Sequence, residues 1–265
     1  MNSVITLISD YGAGSPYTAA MLGSALTLMP QTKVIELSHH IPPFDLVQAA
    51  FFLKSVYHQF PKGTCHLICL DTSISLHKKL LVVEANGHYF LGADNGIFSL
   101  LFDENLVQAY KIITNADAHL ELFPEKNIFL PLLTKFFEQG SFEGLATRDQ
   151  ISPKKQSIQV TEDENGLRGT VMFIDGYSNA ITNIHKSLFE NTGKGRAFIL
   201  YYWGKHTIEK LSANFEDSNA GDDIMLFNEN QYLMLAINKG KGAQLLGLKP
   251  GSNIIIEFQE ETDLI

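Results

Sequence analysis

The sequence predicts an α/β protein whose N-terminal, largely parallel sheet carries helices on both faces, followed by a smaller antiparallel, barrel-like β domain. Strand-like and helix-like segments alternate through residues 1–152, the pattern of a parallel sheet covered by helices. Residues 153–265 instead carry closely spaced strand-like runs with one helix of note, near 241–246. Three apolar runs also end on an aspartate: Val4 to Asp10, Cys65 to Asp71 and Val171 to Asp175. Such acids stand at the carboxyl ends of buried strands, the edge where open α/β sheets bind ligands. Three converging carboxylates suit a diol, an amine or a cation; turn and cap chemistry is the plainer use of Asp there.

Each element has a local reason. Asp10 to Pro16 is a Gly-rich turn, and the helix from about Tyr17 to Met29 stops at Pro30. Lys33 to Leu37 is a short strand, and Asp45 caps a helix reaching about Tyr57. Strands follow near 65–70, 80–85 and 88–91, the last two joined by an Asn86-Gly87 hairpin turn. A short helix near 96–103, a strand near 107–113 and a helix near 129–139 complete the first half. Charged and turn-forming residues from 146 to 168 mark the junction, part of which (about 157–161) can start the next domain. Strands are expected beyond it near 167–174, 180–184, 197–202, 206–211, 223–228, 231–237 and 253–258.

Bulk properties narrow the class. The chain has 265 residues, a net charge of −9 and 45% hydrophobic residues, which fits a folded globular protein and disfavours nucleic acid and anionic membranes as partners. Its two cysteines, Cys65 and Cys69, share one strand face too far apart to bridge easily, so they read as buried free thiols. No His or Cys spacing suggests a metal site. The N-terminus enters a strand directly and no apolar run reaches membrane-spanning length, so the expected location is the cytoplasm.

Several segments, in order, carry a resemblance. Ile5 to Gly12 is similar to a T-D-F/Y-G strand and loop, and His39 to Asp45 to H-x-I-P-P-F-D. Phe60 to Thr64 and the strand to Asp71 are similar to F-P-x-G-T before V-D-P-G, and Gly92 to Gly96 to G-P-D-N-G. Asp175 to Asn183 resembles D-x-F-G-N-x-x-T-N. Ala236 to Ala243 and Leu246 to Gly251 resemble I-N-x-G-x-A and L-G-L-K-x-G. Together they resemble the S-adenosyl-L-methionine hydroxide adenosyltransferases, the group that includes the fluorinases and chlorinases. The resemblance implies a homotrimer with sites between neighbouring subunits. It also implies displacement of methionine from the ribose C5′ of S-adenosylmethionine, a substrate rather than a cofactor. It assigns Asp10 to the ribose hydroxyls, Asp175 to the methionine amine, and Tyr177 and Asn179 to adenine. Asn228 to Tyr232 lies near its carboxylate and adenine contacts but departs from the S-x-G pattern.

The water-activating Asp, Arg and His of the family are altered. Asp71 is present, Lys78 stands for Arg, and Pro124 stands for His in the segment similar to T-F-H-G-R-D. Lysine keeps the charge but loses the planar fork of donors, and proline offers no donor at all. Thr72 to Leu76 replaces P-G-V-G-T, and Glu125 puts an anion where the family has Gly, opposing hydroxide or halide approach. His77, beside Lys78, and His119 could supply an imidazole from elsewhere, though nothing in the sequence shows either reaching the site. Two readings follow: a divergent S-adenosylmethionine hydrolase using Asp71 and Lys78, or a catalytically impaired protein that binds adenosine or S-adenosylmethionine. A different 5′-substituted nucleoside as ligand fits the second reading equally well.

Overall fold

The computed structural model describes residues 3–74, 78–114, 121–153, 159–202, 204 and 206–259. The chain divides into two compact units, Met1–Ser157 and Ile158–Ile265.

In the first unit, β-branched and aliphatic runs form β1 (Val4–Ser9), β2 (Lys33–Ser38), β3 (Cys65–Cys69), β4 (Leu80–Ala85), β5 (His88–Ala93), β6 (Gln108–Ile112) and β7 (Ala146–Asp149). They make one seven-stranded sheet in the order β2-β1-β3-β5-β4-β6-β7. The sheet is mixed. It is parallel across β2, β1, β3 and β5, then antiparallel across β5, β4, β6 and β7. The change of sense begins at the β4–β5 hairpin, where Asn86 (φ 51°) and Gly87 (φ 76°) both take the left-handed backbone that the tightest hairpin turns require.

Strand side chains alternate between faces, so this sheet has two cores. Ile5, Leu7, Leu67 and Leu91 pack with α1 (Pro16–Leu28) and α4 (Leu130–Gln139). Ile8, Ile68, Leu70 and Phe90 pack with α2 (Leu46–Val56) and α3 (Ile97–Leu101). Helices therefore cover both faces, as expected. The caps follow the sequence: Ser15 accepts from Tyr17 N at the start of α1, and Asp45 Oδ1 accepts from Gln48 N, 2.9 Å away, at the start of α2.

The second unit is an antiparallel sheet of β8 (Thr161–Asp163), β9 (Gly166–Ile174), β10 (Ala180–His185), β11 (Phe198–Tyr202), β12 (His206–Ile208), β13 (Asp223–Phe227), β14 (Tyr232–Ile237) and β15 (Asn253–Phe258). Its order is β12-β11-β15-β9-β10-β14-β13, with β8 added beside β9. A bridge from Leu211 to Met225 brings the segment after β12 against β13, so the path nearly closes into a barrel. Gly169 on β9 is required by packing, because a Cβ there would come within 2.5 Å of Ile184 Cγ1.

Among the described residues, two α-helices occur in this unit where one was expected. Besides α6 (Gly242–Leu245), α5 spans Lys186–Gly193, capped by the His185 ring and anchored by buried Phe189. Its Ser, Asn, Thr and Gly content gives weak intrinsic helix preference. Contacts of Phe189 with Phe198, Phe227 and Phe258 hold it instead. The strand expected over 206–211 is shorter, ending at Ile208.

Candidate active site

The chain order around β1 creates a crevice. From β1 the chain passes to β2 on one side, while β3 lies on the other, and α1 and α2 cover opposite faces. That reversal is the position at which open α/β sheets take ligands, beyond the carboxyl ends of the strands. Ser9 of β1 pairs in register with Cys69 of β3, so Asp10 and Asp71 follow the carboxyl ends of adjacent parallel strands, one register position apart.

Asp10 is half-buried and receives the backbone N–H of Phe44 on Oδ2 at 3.0 Å. Phe44 itself has φ 63° and a side chain 72% exposed, an unfavourable backbone for a bulky residue that the Asp10 contact helps to hold. Beneath this loop Ser9 Oγ and His39 Nδ1 lie 2.6 Å apart.

Asp71 is also left-handed, at φ 43°. The serine for glycine exchanges two and four residues later are thus accompanied by strain at the aspartate itself. Asn95 Nδ2 donates to the carbonyls of Leu70 (3.0 Å) and Asp71 (3.4 Å) and fixes this turn. Lys78 Nζ pairs with Asp71 Oδ1 at 2.6 Å and also reaches Ser73 Oγ at 3.1 Å and the Asp71 carbonyl at 3.3 Å. Lys78 thus meets Asp71, with three acceptors around one ammonium and Oδ2 without a hydrogen-bond partner among the described residues.

Glu125 corrects the expectation of an anion opposing the site. Its carboxylate is turned into the interior, 2% exposed, where Thr72 Oγ1 donates to Oε1 and the Tyr11 hydroxyl bonds to it as well. Glu125 opens a single π-helical turn, Glu125–Phe129, that runs into α4. Burial, then the nearby Cys69 and Glu125, push the Tyr11 phenol far up, so it stays a donor. Burial, with Glu125 and Asp10 adding to it, does the same to the Cys69 thiol. Tyr11, Tyr17 and Phe123 pack edge to face or tilted against one another, with ring centroids 5.6–6.1 Å apart.

Asp175 does not end a parallel strand. It follows β9 in the hairpin to β10, where Oδ1 accepts from Tyr177 N and Asn179 N and Oδ2 from Asn179 Nδ2, each at 2.9 Å. Carboxylate and amide thus brace one turn, with Ser178 at φ 68° between them. Asn179 is buried, whereas Tyr177 presents its ring to solvent at 84% exposure. A carboxylate has further lone pairs beyond those three bonds. Asn228 to Tyr232 forms the turn between β13 and β14, with the N–H groups of Asn228, Gln231 and Tyr232 used inside the turn.

Sequence reasoning missed Thr72 and Asn95 as parts of this site. Thr72 stands directly beside a quoted aspartate, and Asn95 lies inside the quoted Gly92–Gly96 motif, which was the available signal. His77 and His119 lie outside the described residues. Among the described residues no group of three His, Cys, Asp or Glu is placed to hold a metal, and no helix is long and apolar enough to cross a membrane.

Residues 5–146 match the SAM hydroxide adenosyltransferase N-terminal domain, and residues 169–255 the C-terminal domain. The chain belongs to the SAM hydroxide adenosyltransferase family. Among its relatives in the family, the (R)-S-adenosyl-L-methionine hydrolase of Methanocaldococcus jannaschii is 26% identical, covering 99% of this chain and 95% of that one. The hydrolase of the same name from Salinispora tropica is 24% identical over 94% and 96% of the two chains. A fluorinase from an Actinoplanes species is 22% identical over 96% and 97%. A crystal structure of an uncharacterized conserved protein from Thermotoga maritima shares the fold, with a TM-score of 0.82, 23% identity and coverage of 96% and 99%.

Proposed function

We propose that this member of the SAM hydroxide adenosyltransferase family hydrolyses S-adenosylmethionine to adenosine and methionine by attack of water at the ribose C5′. The observation that carries the reading is the Asp71–Lys78 pair, 2.6 Å apart at the crevice between β1 and β3. The sulfonium already makes methionine a good, neutral leaving group, so the protein has to orient water in line with the C5′–S bond and exclude competing positions. Lys78 fixes the Asp71 carboxylate through Oδ1, which leaves Oδ2 to accept from the attacking water. Asp10, half-buried and held by Phe44 N, takes the ribose diol, since one carboxylate can accept from both hydroxyls. Tyr177 supplies an exposed ring for adenine, Asn179 acts on the base, and Asp175 pairs with the methionine amine.

S-adenosylmethionine is the substrate and no resident cofactor is required. The protein works as a cytoplasmic homotrimer with the site shared between neighbouring copies, a reading supported by family membership. The test is to incubate pure protein with S-adenosylmethionine and follow adenosine and methionine by chromatography. Turnover that is lost in Asp71→Ala supports hydrolysis; no turnover above blank refutes it.

Pro124 in the family's His position favours a second reading, a protein that binds the nucleoside without turning it over. Calorimetric titration with adenosine and S-adenosylmethionine separates the two: tight binding without product favours the second.

A further inference from the structure

We propose that Glu125, reached through the Thr72 hydroxyl, is the proton acceptor that stands in for the family's lost histidine; the inference rests on the hydrolase reading above. Three observations carry it. Thr72 and Glu125 both stand where this chain departs from the quoted family pattern, Thr72 for Pro and Glu125 for Gly, and the two new side chains are bonded to each other. Neither replacement is useful alone: a buried carboxylate without donors is costly, and a buried hydroxyl needs an acceptor. Thr72 also follows Asp71 directly, in a turn that is left-handed at Asp71 and tied down by Asn95, so one residue separates the hydroxyl bonded to Glu125 from the carboxylate that orients water. Finally, Glu125 is 2% exposed and cannot meet bulk water itself, yet each hydroxyl bonded to it keeps acceptor lone pairs of its own.

The π-helical turn at Glu125–Phe129 helps to set the carboxylate inward, and such turns recur at functional sites. The groups facing Glu125 are Thr72 from the β3 loop, Tyr11 from the β1 loop and Cys69 from β3, with Asp10 acting on the same Tyr11 and Cys69. Tyr11 and Cys69 are both pushed up by burial and by Glu125, so neither competes as a base.

The step balances with two protons in flight. Water held on Asp71 Oδ2 passes a proton to Thr72 Oγ1 as the Thr72 proton moves to Glu125 Oε1. The oxygen lone pair forms the O–C5′ bond, the C5′–S bond breaks, and its electron pair goes to sulfur, leaving methionine neutral at sulfur. Glu125 then returns the proton to solvent along the same path.

The full-length protein tests this with a conservative pair at Thr72. Thr72→Val removes the hydroxyl at nearly constant shape; Thr72→Ser restores it. Thr72→Val and Glu125→Gln are expected to lower kcat about 100-fold or more, in the range of lost acid–base catalysis, with the calorimetric Kd for S-adenosylmethionine unchanged. Thr72→Ser is expected to regain most of kcat, and its proton inventory in mixed H2O and D2O to stay curved like that of the natural protein. Should Glu125→Gln fail to fold, the valine and serine variants decide the matter. Turnover by the natural protein that survives Thr72→Val overturns the relay alone, as does a kcat loss that serine does not rescue. Absence of turnover in the natural protein overturns the relay and the hydrolase reading together.

Discussion

Lowering the pH from 7 to 5 should cost the first unit about 2 kcal/mol through His66 alone. Its ring is fully buried on β3, with Nδ1 2.7 Å from Thr6 Oγ1 on β1 and Nε2 3.2 Å from His88 Nδ1 on β5. Phe90 stacks on it with centroids 4.7 Å apart. Burial, and then the neighbouring His88, pull its pKa down from 6.5 to about 3. The unfolded chain therefore takes up a proton that the folded state refuses. The stability is intact above pH 6.5 and is lost as the pH falls from there towards 3. Between pH 7 and 5 the unfolded histidine gains about 1.4 pK units of protonation free energy, or about 2 kcal/mol. The assay is urea unfolding at both pH values for the natural protein and for His66→Gln, since carboxylate titration is common to the two. The natural protein should lose about 2 kcal/mol more than the variant. Equal losses refute the reasoning.

Four other outcomes are specific. Asp71→Asn should lower kcat about 100-fold or more while Kd for S-adenosylmethionine holds, measured by product release and calorimetry. Tyr177→Ala should leave thermal stability within about 0.5 kcal/mol, because the ring is exposed, yet weaken adenosine binding by about 1–3 kcal/mol through lost stacking. Asn179→Ala should destabilise the second unit by about 1–3 kcal/mol in denaturant, because it removes the amide braced against Asp175 Oδ2. Gly169→Ala should cost about 1–3 kcal/mol by forcing Ile184 and Asn183 aside, read as a lower melting temperature.

Much of the fold was readable because local preference and tertiary need agreed. β1 and β3 are apolar runs with turns behind them, and Asn86-Gly87 forms the hairpin its chemistry demands. Where they disagreed, the sequence misled. α5 is a polar segment held by one buried phenylalanine, and β7 is a short Ala-Thr-Arg-Asp run that becomes a strand only because β6 offers an edge. The antiparallel half of the first sheet follows from pairing partners, which no periodicity reveals.

The candidate site divides the same way. The strand-end positions of Asp10 and Asp71 were readable from the apolar runs before them; the Asp71–Lys78 contact is seen only in the structure. The inward turn of Glu125 was not readable either, because direction depends on the π-helical turn and on two hydroxyls distant in sequence. Asp175 shows the plainer use of a strand-end acid as well: its carboxylate accepts three bonds within its own turn.

Both cysteines of the chain stand on β3, fully enclosed. Burial raises both thiols far above their ordinary range, so a disulfide reagent has to wait for the central strand to come free. The rate of thiol labelling then clocks the opening of the first sheet. The chain thus carries a natural reporter for its first unit, whose opening can be timed without adding a label.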